Sequence, residues 1–398
     1  MMNKVFVLGA CRTPIGKMGG SLSSLTATDL GSIVIRESLK RSGIPINSVD
    51  HVFLGCVIQA GLGQNIARQA SIKSGLPFET TAQTVNIVCG SGLDAVNSAA
   101  RMIQTGDADV VIAGGTESMS NAPFAILKAR YGYKMGSPMM DTPLVDTMVK
   151  DALWDAINNY HMGITAENVA EKWGITRTEL DEFALSSQCK AASAIATGLF
   201  KEEIVPVVIK GRTKDTVVDT DEGPRPETTI DSLARLKPVF KTNGIVTAGN
   251  SSGINDGAAS VILVSEKKVK EFGLHPQAEW LGGALGGVDP AIMGVGPITS
   301  TRKLFKKLDI DIDNIDIVEG NEAFAAQSIA VQKELMIPSE KLNVNGGAIA
   351  LGHPVGASGC RILVTLIHAL KQKKKATGLA MLCIGGGMGC STVLRRCE

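Results

Sequence analysis

Apolar and polar positions over the first 120 residues switch repeatedly between strand-like and helix-like periods. Val5-Phe-Val-Leu-Gly-Ala10 is a short unbroken apolar run, the pattern of a buried strand, ending at a turn-like Arg12-Thr-Pro-Ile-Gly16. Thr26 opens helical spacing to about Arg41, with Asp29 completing a capping box and Gly43 as the stop. Asp50-His-Val-Phe-Leu-Gly55 reads as a second strand, Asn65 to Ser74 as a helix, and Ala82 to Val88 as a third strand. Leu93 to Gln104 is helical in spacing and stops at Gly106, and Ala108 to Gly115 returns to strand. Strands separated by helices predict parallel pairing in an α/β layer fold.

Beyond Asn121 this rhythm is lost until about Gly249. Residues 125–160 show little periodicity, as in a long excursion. Thr176-Arg-Thr-Glu179 is a capping box that starts a helix running to Gly198. Residues 215–235 are polar, contain Pro224 and Pro226, and predict surface loop. Strand composition resumes at Asp256–Ser265. The rest of the chain repeats its beginning. Asp50–Gly55 matches Asp316–Gly320, Cys89-Gly-Ser-Gly92 matches Gly356-Ala-Ser-Gly359, and Ala108–Gly115 matches Leu379–Gly386. Landmarks in one order at nearly one separation imply a duplication. The expected result is two similar α/β halves about a pseudo-twofold, with loops of both meeting at one cleft. The chain then divides into a first half, 1–120 continued at 250–275, an insertion at 121–249, and a second half at 276–398.

Composition narrows the functional classes. A chain of 398 residues exceeds what one core usually serves. A net charge of +1 removes the electrostatic case for nucleic acid or an anionic membrane as partner. The run Val5–Ala10 is too short for a membrane span or signal peptide. Eight cysteines without a C-x-x-C pair predict reduced thiols in a cytoplasmic protein and no metal site.

The chemistry gathers at four places. Cys89 stands just before a helix and is followed by Gly-Ser-Gly, which lets a ligand approach the backbone. The helix N-terminus predicts a thiolate more readily formed than the reference pKa of about 8.5 allows. Asn321-Glu-Ala-Phe324 follows a strand, His353 lies in a glycine-dense loop before a helix, and Cys383 ends a strand at a run of glycines. Such strand ends are where open α/β sheets gather functional groups. No G-K-[ST] follows any glycine cluster, and Gly282–Gly287 is a poor dinucleotide fingerprint, so nucleotide chemistry is disfavoured.

These stretches resemble the thiolase family: NIVCGSGLDAV around Cys89, NEAFAAQ from Asn321, NGGAIALGHPVGASG around His353 and CIGGGMG from Cys383. HMGITAENVA from His161 and AGNSSGINDGAA from Ala248 extend the likeness over nearly the whole chain, in family order. The resemblance implies a five-layered αβαβα arrangement of the two α/β halves. It implies a reversible Claisen condensation of two acetyl-CoA to acetoacetyl-CoA and CoA, by a ping-pong route through S-acetyl-cysteine. CoA thioesters are then substrates, and no cofactor is held permanently. Cys89 would be the nucleophile, His353 its base, and Cys383 the second acid/base. One oxyanion site would use His353 with a water held by Asn321, the other the amides of Cys89 and Gly385. The resemblance also makes 121–249 a CoA-binding loop domain. Arg225 and Ser232 would meet the nucleotide end, Leu153, His161 and Ser252 the pantetheine path, and Met162, Met293 and Phe324 the acyl pocket. Residues 125–143 match a loop through which dimers pair into a homotetramer. Two other readings stay open: a degradative 3-ketoacyl-CoA thiolase of broader chain length, and a non-catalytic acyl-CoA or lipid-binding protein on the same scaffold. Oxidation could also join Cys89 to Cys383, and Cys390 has no assigned role.

Overall fold

The computed structural model describes residues 3–132 and 144–397. In the first half, β1 (Val5–Arg12), α1 (Ala27–Ser42), β2 (His51–Gly55), α2 (Ile66–Lys73), β3 (Thr81–Val85), α3 (Ser91–Thr105) and β4 (Val110–Ser118) follow in the expected order. Thr26 accepts from the Asp29 N–H and Asp29 reaches back to the Thr26 N–H, the reciprocal cap read from the sequence. After β4 the chain makes its long excursion, which carries α4 (Met162–Trp173) and α5 (Arg177–Ala196), and returns as β5 (Asn255–Ser265). The second half comprises β6 (Ala278–Gly287), α6 (Gly296–Leu308), β7 (Ile317–Gly320), α7 (Ala325–Glu334), α8 (Val355–Gln372), β8 (Thr377–Ile384) and β9 (Met388–Arg396).

The strands form one sheet path, β7-β8-β9-β6-β1-β5-β4-β2-β3, with Gly16–Lys17 pairing β5 as a short addition. β3, β2 and β4 are parallel, as are β7 and β8, while β5, β1, β6 and β9 join by antiparallel ladders. The sheet is therefore mixed, which corrects the expectation of parallel pairing throughout. Helical crossovers impose parallel pairing only within β2–β4 and β7–β8. β9 follows β8 by a tight turn, and β5 enters after a connection long enough to reverse it.

The two halves repeat one plan. Val318 even makes an isolated parallel bridge to Leu342, at the place β3 holds in the first half. The path folds so that α3 and α8 pack on each other and on both halves of the sheet, with α1 and α6 on the outer faces. This gives the five layers. Leu93, Val96 and Ala100 of α3, Ile362, Leu366 and Leu370 of α8, Val111 of β4 and Leu382 of β8 share one buried cluster. Each such large aliphatic side chain contributes roughly 1.5–3 kcal/mol on burial. No helix among the described residues is long and apolar enough to cross a membrane.

The excursion is fastened by a charge that no surface loop would hold. Arg12 is fully buried, with Nε 2.6 Å from Glu203, and Nη1 and Nη2 2.7 and 2.9 Å from the two Asp221 oxygens. Asp221 lies in the stretch expected to be surface loop, and that stretch is in fact anchored and partly ordered. Thr216–Val218 pairs with Val207–Ile209, and Ile230–Ala234 is a short helix. Phe124–Ile126 and Leu144–Asp146 pair as another hairpin. Of the expected pairing loop at 125–143, residues 133–143 lie outside the described residues.

Candidate active site

Cys89 sits at the tip of a turn that β3 feeds into α3. Val88 has φ +52°, an uncommon conformation for a β-branched residue. The turn is held by the Asn86 carboxamide oxygen accepting the Val88 N–H at 3.0 Å. Ser91 Oγ donates to Val88 O at 2.6 Å and accepts the Ile87 N–H at 3.0 Å. Strain fixed by short bonds in this way is found at positioned functional groups. The backbone N–H groups of Gly385 and of Cys89 itself are directed at the sulfur.

Burial pushes the Cys89 thiol up to about 11; the two N–H groups oppose the shift and the Glu117 charge adds to it. The expected easy thiolate is thus corrected. Two N–H dipoles do not match the desolvation of a sulfur packed against the apolar cluster of Val57, Ile58, Met119 and Val355. Cys383 is fully buried in β8, opposite Gly389 of β9. Its pKa is raised strongly, first by burial and then by Cys89, so the two sulfurs share one neighbourhood. Both are free thiols. The chain then turns through Gly386 and Gly387, both at φ +86°, which side chains rarely adopt, and so presents the Gly385 amide to the cleft.

His353 is buried in the turn before α8. Its backbone N–H donates to Asn255 at 3.0 Å, and its Nδ1 lies 2.5 Å from Ser358 Oγ. Ser358 donates its single hydroxyl proton to Pro354 O at 2.9 Å, so Nδ1 carries the ring proton and donates to Ser358. Nε2 is left unprotonated, and its lone pair accepts from Nδ2 of Asn321 at 3.4 Å. Burial, and then the Arg361 charge, hold the imidazole pKa down to about 3, so the ring is neutral. Asn321 follows β7, its N–H bonded to Met381 O at 3.0 Å. Its Oδ1 is buried with no hydrogen-bond partner among the described residues.

A cavity of about 460 Å³ leads to this turn and is lined by Arg225, Ser232, Gly249, Asn255 and Gly352 among others. Of the expected CoA contacts, only Arg225 and Ser232 line it directly. Ser252 lies beside it, its N–H bonded to Ala323 O at 3.0 Å. Met162, Met293 and Phe324 share an apolar cluster with Cys383, and Leu153 packs in the cluster that holds Cys89. His161 caps α4, and its ring stacks on Phe240 at 4.7 Å; Phe240 in turn meets the Phe324 ring edge-on at 6.2 Å. Phe240 was not picked out from the sequence, where the one available signal is an aromatic residue amid polar neighbours. Lys17, at the mouth of the cavity, was missed too.

The mixed duplicated fold, with a thiol, a neutral imidazole and a carboxamide at the meeting of its halves, defines an acyl-transfer site. The chain belongs to the thiolase family: residues 5–267 match the thiolase N-terminal domain and residues 274–396 the thiolase C-terminal domain. Among curated proteins it is 54% identical to the acetyl-CoA acetyltransferase of Syntrophomonas wolfei, covering 99% of both chains. It is 52% identical to that of Pseudomonas aeruginosa, over 99% of this chain and 100% of the relative. Among solved structures, the Bacillus anthracis acetyl-CoA acetyltransferase superposes with a TM-score of 0.97 at 45% identity, covering 100% and 99% of the two chains. Human mitochondrial 3-ketoacyl-CoA thiolase superposes with a TM-score of 0.96 at 41% identity, covering 99% of each.

Proposed function

We propose that the chain is an acetyl-CoA C-acetyltransferase, joining two acetyl-CoA into acetoacetyl-CoA and CoA and running the reverse thiolysis. The observation that carries this reading is the meeting of Cys89, Cys383 and the Gly385 amide at one point between the halves. Cys89 gives its proton to the unprotonated Nε2 of His353 and attacks the thioester carbonyl. Neither charge is favoured alone in this buried site. Moving the proton creates thiolate and imidazolium side by side, and their attraction offsets the desolvation that disfavours each. The carbonyl oxygen gains charge as the C–S bond forms, and we assign its stabilisation to the amides of Cys89 and Gly385, a reading supported by their lying at the Cys89 sulfur. CoA leaves with the proton returned by His353, and the acetyl group stays on Cys89 as a thioester.

In the second half, Cys383, its own proton passed to His353, removes a proton from the methyl group of another acetyl-CoA. The carbanion attacks S-acetyl-Cys89, the C–S bond to Cys89 breaks, and the departing Cys89 thiolate takes back the proton from His353. A thiol whose pKa is raised gives a more basic thiolate, suited to so weak a carbon acid. The partnerless Asn321 Oδ1 supports a water held there, which with His353 would face the enolate oxygen. The buried side chains of Met293 and Phe324 favour a short acyl chain. The cavity at Arg225 and Ser232 supports CoA binding by the inserted block 121–249. We further read the enzyme as a cytoplasmic homotetramer. The edge position of β3 among the described strands and the exposed Phe124, Ile126 and Leu144 support the assembly, since exposed strand edges and apolar patches mark sites of contact with another chain.

Steady-state assays with acetoacetyl-CoA and 3-ketooctanoyl-CoA, on the wild type, Cys89→Ala and Cys383→Ser, test the reading. Activity confined to the short substrate, lost in both directions with Cys89→Ala, is expected. Cys383→Ser should retain some exchange of acetyl between CoA molecules while losing condensation. Equal loss of both activities would contradict the division of roles, and equal turnover of both substrates would favour the broader 3-ketoacyl-CoA enzyme.

A further inference from the structure

Glu117, the penultimate residue of β4, has a fully buried side chain that no step above uses. One carboxylate oxygen accepts the Val57 N–H at 3.0 Å and the Gly356 N–H at 2.8 Å. The other accepts the Ile58 N–H at 3.1 Å, and the Cys56 thiol donates to it at 3.7 Å. Each of the four partners donates, as a carboxylate requires. Three belong to the loop after β2 in the first half; the fourth is in the first turn of α8, in the second half. Gly356 comes so close that a side chain on it would strike this carboxylate at 2.7 Å and the Cys56 Cα at 2.9 Å. Val57, Ile58 and Val355, each at or next to a bonded amide, belong to the apolar cluster against which Cys89 packs. Gly356 also lies three residues after His353 in the same turn.

We propose that Glu117 is a positioning residue for the acyl transfer: its carboxylate locks the loop against which Cys89 packs to the turn that carries His353, and so sets the distance between nucleophile and base across the two halves. The proposal rests on the thiolase reading and goes beyond it, because Glu117 is placed too far into the core to be given a role in handling substrate. Backbone amides are a rigid thing to hold, and a carboxylate accepting from both halves holds them at one separation. A shift of about 1 Å in reacting groups is enough to lower a rate on the order of 100-fold. The carboxylate also acts on Cys89 through its charge. The groups that bear on that sulfur are Glu117, the Cys383 thiol and the amides of Cys89 and Gly385, and Glu117 opposes ionisation.

Two variants separate placement from charge. Glu117→Gln removes the charge and one acceptor while keeping length; Glu117→Asp keeps the charge but is too short to span both halves. Both should lower kcat for condensation about 10- to 100-fold, with KM for acetyl-CoA changed less than about threefold. Alkylation of Cys89 by iodoacetamide at pH 8, read on the Cys89 peptide, should be several-fold faster in Glu117→Gln and not in Glu117→Asp. A folded variant with wild-type kcat, or a loss carried wholly by KM, would overturn the proposal. If the wild type itself does not condense acetyl-CoA, it is the thiolase reading that fails, and the alkylation result still reports whether Glu117 governs the sulfur. Should neither variant fold, hydrogen exchange on the wild type decides. Amides of Val57, Ile58 and Gly356 exchanging as slowly as the core support the three-way clamp, and rapid exchange at Gly356 overturns it.

Discussion

Gly92 and Gly359 meet reciprocally at the crossing of α3 and α8. A Cβ on Gly92 would lie 2.9 Å from the Cys360 nitrogen, and a Cβ on Gly359 would strike the Leu93 nitrogen. Each glycine faces the residue that follows the other, as a twofold relating the two halves requires. The Cys89 turn precedes one helix and the His353 turn the other, so this contact bears on how closely the proposed nucleophile and base approach.

Gly92→Ala and Gly359→Ala should therefore each destabilise the fold by at least about 2 kcal/mol, since the obstacle is backbone and cannot rotate away. Urea unfolding followed by circular dichroism measures this. Wild-type stability for either variant would mean that the helices do not cross this tightly.

Ser358→Ala removes the acceptor of the His353 Nδ1–H, leaving a buried donor unpaired and freeing the ring to carry its proton on Nε2. A fall in kcat of about 10- to 100-fold is expected, with KM for acetyl-CoA little changed. A shift of the imidazole 15N resonances toward the other tautomer would accompany it. An unchanged kcat would contradict the assignment of Nε2 as the free base.

The alkylation rate of Cys89 in the unliganded enzyme should keep rising with pH toward about 11, without levelling near the ordinary thiol value. The sign for stability follows: a folded-state pKa raised above the unfolded one stabilises below the unfolded pKa of about 8.5 and loses that contribution as pH climbs to 11. For His353 the sense is opposite. Held down to about 3, it stabilises above about 6.5 and loses that contribution as pH falls toward 3. His353→Gln should accordingly flatten the acid limb of the stability curve, as read by urea titrations at pH 4 to 7.

Arg12→Met should cost about 3–5 kcal/mol, because Glu203 and Asp221 would remain buried without their cation. Limited proteolysis should then cut first between residues 199 and 222. Retention of the wild-type digestion pattern would show that Arg12 does not anchor the inserted block.

Much of this architecture could be read from the chain because its repeats are marked by glycines where a side chain would clash or, at Gly386, would have to adopt a φ of +86°. The pairs Gly92 with Gly359 and Gly115 with Gly386 give the duplication directly. Capping at Thr26 and Thr176 is local, so both helices start where the sequence says. The direction of β1 was not legible, since a doubly buried strand has the same apolar run either way round. The Cys89 pKa was misjudged because its sign depends on how deeply the fold buries the sulfur, which no spacing reveals. Glu117 reads as an ordinary polar residue at a strand end. Its meaning lies in Gly356, 239 positions away.

The most direct test of the whole account is intact-protein and peptide mass spectrometry after brief exposure of the enzyme to acetyl-CoA. One acetyl group per chain, carried on the Cys89 peptide, absent from Cys89→Ala and discharged by added CoA, is the predicted result. An unmodified Cys89, or acetyl carried on Cys383 instead, would contradict it.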